Sequence, residues 1–311
     1  MTPGFIDVSA CWVCGGAALG RTFDALIDLD VYRTQHPRLT EYTGETVWFR
    51  TCGACGFTQP ERLPSLPDFF DCLYDQLWSA DWVQREFEST CKDLIFTSVL
   101  AELGARQVND RRLLDIGAHS GRFLHLARQA GWQPEGIELN PRTAAFASMH
   151  TGLPVHSENV ERLVLAGHTY GAVTLTDVLE HIPDPVRLLT RVRDALAPGG
   201  WIAVKVPSGP AQRFKEGVRA RLRRGYRPRL ADNLVHVNHF TPASLRLALE
   251  RAGFDRVTIE VGAPEIPDGA GMRTAAANAG RRVLYRVGSI LPGGVHTPLA
   301  LNLQAYARGP R

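Results

Sequence analysis

The sequence lacks a long hydrophobic run, an apolar leader and a strong excess of charge. No stretch approaches the ~20 consecutive apolar residues of a membrane helix, so no membrane span is predicted. Residues 1–10 contain neither the basic start nor the apolar run of a secretory signal, so no such signal is predicted. We therefore expect a cytoplasmic location. The formal net charge is only +3, so the molecule as a whole does not attract nucleic acid by its charge.

Residues for a hydrophobic core are plentiful by comparison. Hydrophobic side chains make up 44% of the 311 residues and charged ones 22%, which argues against global disorder. This length suits one large α/β domain with a small appendage. Three regions are predicted: a module at 1–60, a helical bridge at 61–106 and a larger domain at 107–311.

Cysteine is scarce, and four of its six copies fall in two Cys-x-x-Cys motifs separated by 37 residues, Cys11, Cys14, Cys52 and Cys55. Without a secretory signal a reducing compartment is expected, where paired motifs favour metal or redox chemistry over disulfides. Four thiolates satisfy the tetrahedral preference of Zn²⁺ and leave no open position. The pattern predicts a structural zinc site, with residues 46–51 in a ribbon strand. Cys72 and Cys91 stand alone and are predicted to be small buried side chains.

From residue 111 onward, short apolar runs alternate with segments of helical periodicity. The predicted strands are 112–117, 134–138, 172–176 and 201–206, followed by 257–261 and 301–307 as an antiparallel pair. Helices are predicted at 121–130, at 142–150, after the cap Asp184, at 240–253 and at 283–291. Such alternation is typical of a parallel sheet wound with helices.

The most informative segment is 113–124, an apolar strand, an acid, a glycine turn and a helix. This arrangement suits ligand binding at the carboxyl end of a parallel strand. A dinucleotide fingerprint would need glycine at His119 and Arg122, so NAD is disfavoured. Asp115 before the turn suits a cationic group, such as the amino group of a methionyl moiety, and this favours S-adenosylmethionine. Glu138 follows Asp115 by 23 residues, at the end of the next strand, where a carboxylate accepts hydrogen bonds from a ribose diol.

Four motifs resemble those of class I S-adenosylmethionine-dependent methyltransferases in order and spacing: residues 115–121, 136–138, 177–185 and 196–200. The cysteine module, residues 74–78 and residues 239–242 resemble a subgroup with a zinc-ribbon head. The resemblance implies an α/β, Rossmann-like fold with a mostly parallel seven-stranded sheet and helices on both faces. It also implies an acceptor that is a sugar, a glycan or a secondary metabolite.

The resemblance assigns roles to individual residues. Asp115 and Gly117 would line the methionine end, Glu138 would hold the ribose, residues 158–159 would flank the adenine, and Asp177 would close the pocket. His119 stands where the family has glycine, so it would narrow the pocket or contact the methionyl carboxylate. The predicted cofactor residues are Asp115, Gly117, Ala118, His119, Gly121, Phe123, Glu138, Leu139, Glu158, Asn159, Asp177 and Val178.

Methyl transfer mainly requires alignment of the acceptor, and a hydroxyl acceptor also needs a general base. Glu180 and His181 follow the predicted strand 172–176, where they either act in catalysis or begin the next helix. His236 and His239 lie in a segment that could cover the pocket. Alternation along an extended chain points them to opposite faces, so only one meets the acceptor, and the other reading for each is a packed or solvated side chain. The family motif favours His239.

Residues 213–229 contain eight arginines and lysines, which favour phosphate binding or form a solvated helical face. The predicted function is methylation of oxygen or carbon in a small metabolite or sugar acceptor, which could be anionic. One alternative is an RNA methyltransferase that uses the zinc module and the arginines, although nucleic acid is the less favoured partner. Another is a non-catalytic, zinc-stabilised binding module. Nothing in the sequence indicates an oligomeric state.

Overall fold

A computed structural model describes residues 3–74, 79–106, 108, 110–160, 162 and 169–310. Its strands are β1 (Phe5–Asp7), β2 (Leu19–Leu26), β3 (Thr46–Cys52), β4 (Thr58–Pro60), β5 (Arg62–Pro64), β6 (Arg112–Ile116), β7 (Gln133–Glu138), β8 (Val155–Ser157), β9 (Tyr170–Thr176), β10 (Leu196–Pro207), β11 (Asp255–Gly262) and β12 (Asn302–Arg308). Its helices are α1 (Phe69–Tyr74), α2 (Ala80–Glu88), α3 (Asp93–Ala105), α4 (Arg122–Gln129), α5 (Pro141–Thr151), α6 (Pro185–Ala195), α7 (Gly209–Leu222), α8 (Pro242–Arg251) and α9 (Met272–Ile290).

Seven strands form one sheet in the order β11-β12-β10-β9-β6-β7-β8. The pairs from β10 through β9, β6 and β7 to β8 are parallel, and β12 runs antiparallel to both β10 and β11. The predicted mostly parallel seven-stranded sheet with an antiparallel closing pair is therefore confirmed. The chain places β7 and β8 on one side of β6 and then β9 on the other side. Such a switch point opens a crevice at the carboxyl ends of the strands.

The helices of the large domain begin where polar caps and prolines coincide. Asn140 accepts hydrogen bonds from the amides of Arg142 and Thr143 ahead of α5, and Asp184 accepts one from Arg187 ahead of α6. Each cap precedes a proline in the first helical position, where its missing N–H has no cost. One predicted helix differs in length: α9 begins at Met272 rather than at 283. Its first turns are rich in alanine, which favours helix without an apolar stripe.

The N-terminal module is a three-stranded antiparallel sheet, β2-β3-β4, and its strand β3 includes the predicted 46–51. Its hydrophobic core does not stop at residue 60. Ile27 and Phe49 cluster with Phe69 of α1 and with Leu234 and Val237 of the large domain. The hydrophobic cores on either side of residue 60 are continuous. The domain boundaries 1–60, 61–106 and 107–311 therefore remain a prediction.

The cysteine end of the module joins the central core in the same way. Cys11, Cys52 and Phe57 belong to a cluster that includes Phe240 and Leu245. The rings of Phe57 and Phe240 have centroids 5.0 Å apart, and full burial of such a ring contributes roughly 1.5–3 kcal/mol. The module is thus packed onto the start of α8 and supports the segment that precedes it.

Among the helices in the described ranges, none is both long and apolar enough to cross a membrane.

Candidate active site

A cavity of about 680 Å³ lies at the carboxyl ends of β6, β7 and β9. Residues 115–120, 138–140 and 176–178 line it from the sheet side. Trp82 and Glu86 of α2 and the segment at Glu265 and Asp268 line the opposite side. Every predicted cofactor residue except Gly121 lines this cavity.

Two glycines of the loop after β6 have distinct roles. Gly117 has φ +79°, and a Cβ there would lie 2.4 Å from Cγ2 of Val178, so this position requires glycine. Gly121 has φ +85° and faces α5, where a Cβ would lie 2.9 Å from the Thr151 methyl group. The predicted cofactor contact of Gly121 is therefore corrected: the residue allows α4 to pack closely against α5.

Asp115 ends β6 with its side chain against the cavity. The residue is only 3% exposed, and its Oδ1 accepts a hydrogen bond of 2.7 Å from the hydroxyl of Thr174. Burial raises the pKa of Asp115 to about 7, aided by the nearby Glu138 carboxylate and opposed by the Thr174 hydrogen bond. A buried carboxylate whose charge is so poorly compensated attracts a cationic ligand group.

Glu138 links the loops that follow β6 and β7. Its Oε2 accepts the amide of His119 at 2.9 Å, and its Oε1 accepts the amide of Asn140 at 3.0 Å. Burial raises the pKa of Glu138, although these amide bonds oppose the shift. Because each carboxylate oxygen can accept more than one hydrogen bond, Glu138 can still receive a diol from the cavity.

His119 forms part of the cavity wall and does not fill it. Its backbone has φ +48°, in the left-handed region that a glycine adopts more easily. Its ring meets Trp82 edge to face with centroids 5.1 Å apart. Burial and the Lys92 ammonium group lower the pKa of His119 to about 4, so its imidazole is neutral at pH 7.

Asp177 follows β9 and is held between two lysines that sequence reasoning missed. Lys92 lies 2.8 Å from its Oδ2, and the buried Lys205 of β10 pairs with its Oδ1. Burial alone would raise the pKa of Asp177, but the Lys205 and Lys92 ammonium groups hold it well below its usual range. A lone lysine in the apolar run 201–206 was the available signal for Lys205, whereas Lys92 precedes α3 without any pattern.

Of the four predicted catalytic residues, only His181 lines the cavity. Its Nδ1 donates to the carbonyl of Val235 at 2.6 Å and lies 3.3 Å from the hydroxyl of Tyr74. His236 meets the His181 ring edge to face, with centroids 4.8 Å apart. Glu180 is buried beside them, and burial with the Asp177 charge raises its pKa to about 8. Glu180 and His236 therefore adjoin the cavity through His181.

His239 does not reach the cavity, so the preference for it as general base is corrected. The residue is 1% exposed, and its ring lies 5.3 Å from that of Phe23 and 5.5 Å from that of Phe49. Its backbone pairs with Thr58 of the module. The alternation expected along 236–239 does separate the two histidines, and it is His236 that packs against His181 of the cavity wall.

The arginine-rich segment lies on α7 and the loop after it, away from the cavity lining. Arg219 pairs with Glu216 at 2.7 Å, and Arg227 pairs with Asp24 of the module at 2.8 Å. These ion pairs already use part of the positive charge. Phosphate binding by 213–229 stays a prediction. Of the family-like residues 74–78, only Tyr74 lies inside the described ranges.

The four motif cysteines converge at the module's end, with all Sγ atoms within 4.8 Å of one another. The Sγ atoms of Cys11 and Cys55 are 3.6 Å apart, and those of Cys14 and Cys52 are 3.4 Å apart. A tetrahedral Zn²⁺ with bonds of ~2.3 Å separates its sulfurs by about 3.8 Å. The amide of Gly16 also lies 3.4 Å from Cys14 Sγ, as a donor to a thiolate. The donor set fits a closed zinc site.

The methyltransferase domain family matches residues 86–259, more than half of the chain. The chain belongs to this family. The match begins within α2 and ends in β11, so it includes every loop that lines the sheet side of the cavity.

Curated relatives match over shorter segments. The ubiquinone biosynthesis O-methyltransferase of Paraburkholderia xenovorans is 31% identical over 98 residues, which are 30% of this chain and 42% of that protein. The protein of the same name from Cereibacter sphaeroides is 35% identical over 94 residues, 29% of this chain and 38% of that protein. The chain thus spans less than half the length of these relatives.

Solved structures resemble the chain over a wider range. Phosphoethanolamine N-methyltransferase 2 of Haemonchus contortus, solved with S-adenosyl-L-methionine, has a TM-score of 0.54 at 15% identity, over 94% of this chain and 69% of that one. A chain of the complex between the Haloferax volcanii Trm112 activator and a methyltransferase has a TM-score of 0.50 at 16% identity, over 79% of this chain and all of that one. The predicted Rossmann-like methyltransferase fold is confirmed.

Proposed function

We propose that this chain is an S-adenosylmethionine-dependent methyltransferase that acts on an oxygen or carbon atom of a small metabolite or sugar. One observation carries the proposal: the buried carboxylates of Asp115 and Glu138 face the same cavity of about 680 Å³ in a member of the methyltransferase family. An open cavity of this size disfavours a purely structural module. Ligand pockets for drug-sized molecules have volumes of roughly 300–1,000 Å³.

The loops after β6 and β7, residues 115–120 and 138–140, form the end of the cavity that we call the donor end. There Asp115 would bind the cationic amino group of the donor, and Glu138 would bind its ribose. Glu158 and Asn159 line the cavity beyond Glu138 and would flank the adenine. The bound donor supplies a methyl group on a sulfonium, and the protein's task is to hold both partners in line.

The residues after β9 that line the cavity, with His181 among them, form what we call the acceptor end, and the segment 234–238 packs behind His181. His181 is placed there to meet an acceptor hydroxyl, because its Nδ1 bonds to Val235 and leaves Nε2 able to accept a proton. The relatives' name, O-methyltransferase, supports oxygen as the methylated atom. A sugar or other small hydroxyl compound remains the proposed class of acceptor.

We also infer that Cys11, Cys14, Cys52 and Cys55 hold one structural Zn²⁺. The sulfur separations and the Gly16 amide support this inference. A metal with four thiolates has no open position and takes no part in chemistry. A cytoplasmic location stays a prediction from the sequence.

Calorimetric titration of the zinc-loaded protein with S-adenosylmethionine tests the proposal. We expect binding by the wild type and at least a tenfold loss of affinity in Asp115→Ala. Asp110→Asn is the matched control, because Asp110 lies before β6 at the opposite end of the strand and outside the cavity lining. If the wild type does not bind the donor, or if Asp115→Ala binds it unchanged, the assignment of the cavity is overturned.

A further inference from the structure

Glu180 carries a buried carboxylate whose hydrogen-bonding capacity the described residues do not satisfy. The residue is 1% exposed, and neither carboxylate oxygen has a hydrogen-bond partner among the described residues. An unsatisfied buried polar group costs about 1–3 kcal/mol, and more when charged. The nearby cations do not satisfy it either, since Lys92 and Lys205 bond to Asp177.

Two histidines complete a set of metal-ligand atoms around this carboxylate. One ligand atom each from Glu180, His181 and His236 lies within 4.8 Å of the other two. Ligands at ~2.0–2.2 Å from a common ion are separated by at most about 4.4 Å, so small side-chain adjustments bring all three onto one ion. The cluster differs in composition and in place from the four cysteines of the module.

One nitrogen of the His181 imidazole is already hydrogen-bonded, which leaves the other nitrogen to bind a metal ion. Its Nδ1–H donates to the carbonyl of Val235 at 2.6 Å, and the Tyr74 hydroxyl donates to the same carbonyl at 2.9 Å. This bond fixes the tautomer, so Nε2 carries the lone pair. Metal-binding histidines are generally held by such a bond from their other nitrogen.

The segment that carries His236 is fixed to the loop that carries Glu180. The amides of Val237 and Asn238 both donate to the Glu180 carbonyl, at 2.9 and 3.0 Å. The side-chain amide of Asn238 donates to the carbonyls of Leu179 and Ile182, both at 2.7 Å. The three ligand residues are thus held together by the backbone, before any ion binds.

We propose that Glu180, His181 and His236 bind a divalent metal ion at the acceptor end of the cavity. One carboxylate and two imidazoles suit borderline ions such as Mn²⁺, Co²⁺, Fe²⁺ or Zn²⁺. Three protein ligands leave coordination positions open on the side where His181 lines the cavity. Acceptors with two adjacent hydroxyl groups, a diol or a catechol, fit these positions because both oxygens can bind the ion.

The consequence for catalysis rests on the proposed function, whereas binding of the ion does not. Coordination lowers the pKa of a hydroxyl group, so the acceptor loses its proton to solvent more easily. The acceptor oxygen then forms a bond to the methyl carbon, and the electron pair of the broken carbon–sulfur bond returns to sulfur. His181 would act as a metal ligand rather than as the general base.

Titration of the zinc-loaded protein with MnCl₂, followed by calorimetry and by the electron paramagnetic resonance of free Mn²⁺, tests the site. Mn²⁺ is chosen because it does not compete for thiolates as Zn²⁺ does. We expect one bound Mn²⁺ per chain, and at least a tenfold weaker site in Glu180→Gln and in His236→Ala. Glu250→Gln and His156→Gln, both at exposed positions, serve as matched controls and should bind as the wild type does.

Circular dichroism and thermal denaturation establish that the variants fold, and Glu180→Asp, which keeps the carboxylate, should retain weakened Mn²⁺ binding. The proposal is overturned if the wild type binds neither Mn²⁺ nor Co²⁺ at millimolar concentration, or if Glu180→Gln and His236→Ala bind Mn²⁺ unchanged. Donor binding without metal binding would overturn only this site. Metal binding without donor binding would overturn only the methyltransferase proposal.

Discussion

The donor end and the acceptor end of the cavity are built differently. At the donor end, Asp115, Gly117 and His119 are neighbours in the sequence, and Glu138 follows one strand later. At the acceptor end, Tyr74, His181, Val235 and His236 come from three distant segments. The first is therefore readable from a local motif, whereas the second depends on how the N-terminal module and the segment 231–239 pack onto the domain. We expect perturbations to separate the two ends.

The largest effect is expected from loss of zinc. Cys11 and Cys52 belong to the central core with Phe240, and the segment 231–237 packs on the module. Cys55→Ser with a chelator should therefore lower the free energy of unfolding by several kcal/mol. Hydrogen exchange should show residues 231–240 losing protection before β6 and β7. Cys72→Ala lies outside the cysteine cluster and should change the free energy of unfolding little. Equal loss of protection in residues 231–240 and in β6 and β7 would contradict the distinction between the two ends of the cavity.

Lys205→Met should have the next largest effect, because it removes one of two cations from a buried carboxylate. Breaking a buried ion pair costs about 3–5 kcal/mol, and the remaining Lys92 contact should limit the loss to about 3 kcal/mol. Denaturant unfolding measures the change. The double variant Lys205→Met with Asp177→Asn should recover part of the stability. No recovery would mean that the lysine stabilises the fold without acting on Asp177.

Gly117→Ala should weaken the donor end by both backbone strain and a steric clash. The φ of +79° and the 2.4 Å approach to Val178 predict at least a tenfold loss of donor affinity and a loss of about 1–3 kcal/mol in stability. Gly131→Ala is the control, since its φ of +83° is similar but its surroundings are open. Calorimetry with the donor should therefore separate strain from clash. Equal changes in donor affinity in the two variants would contradict the claim that a clash with Val178 contributes.

The pH dependence of donor binding between pH 6 and 8 should report Asp115 first, because its pKa of about 7 lies in this range. Its pKa of about 7 means that the carboxyl is mostly protonated at pH 6, so affinity should fall by about tenfold from its value at high pH. Asp115→Asn should abolish this dependence. In the ligand-free protein the sign is opposite: the folded pKa exceeds the unfolded value, so this group's contribution to stability falls as pH rises from about 4 to 7. A flat affinity profile in the wild type would contradict the role given to Asp115.

His239→Leu should produce the smallest effect on activity. The side chain is enclosed by Phe23 and Phe49, and its Nε2 lacks a partner among the described residues. An apolar replacement of similar size gives up the 3.2 Å bond between Nδ1 and Gln212 Oε1 but should keep the fold. We expect a change in kcat of less than twofold, measured against the much larger loss in His181→Ala. A loss in His239→Leu as large as that in His181→Ala would contradict the placement of His239 outside the active site.

The sequence by itself determined the alternating strands and helices, the caps of α5 and α6, and the donor-end loop. These features depend on residues close together in the chain, where apolar spacing, glycine and capping side chains act directly on the backbone. It also indicated the four cysteines, because two identical motifs predict one metal.

Only the tertiary structure decided which histidine meets the cavity, how Lys92 and Lys205 enclose Asp177, and why Gly121 faces α5. Each of these depends on which distant surface covers a side chain, and a pattern along the chain carries no information about that surface. His236 and His239 are three residues apart, yet one lies beside His181 and the other beneath the module's sheet. Burial and contact between remote segments, rather than residue type, separated their roles.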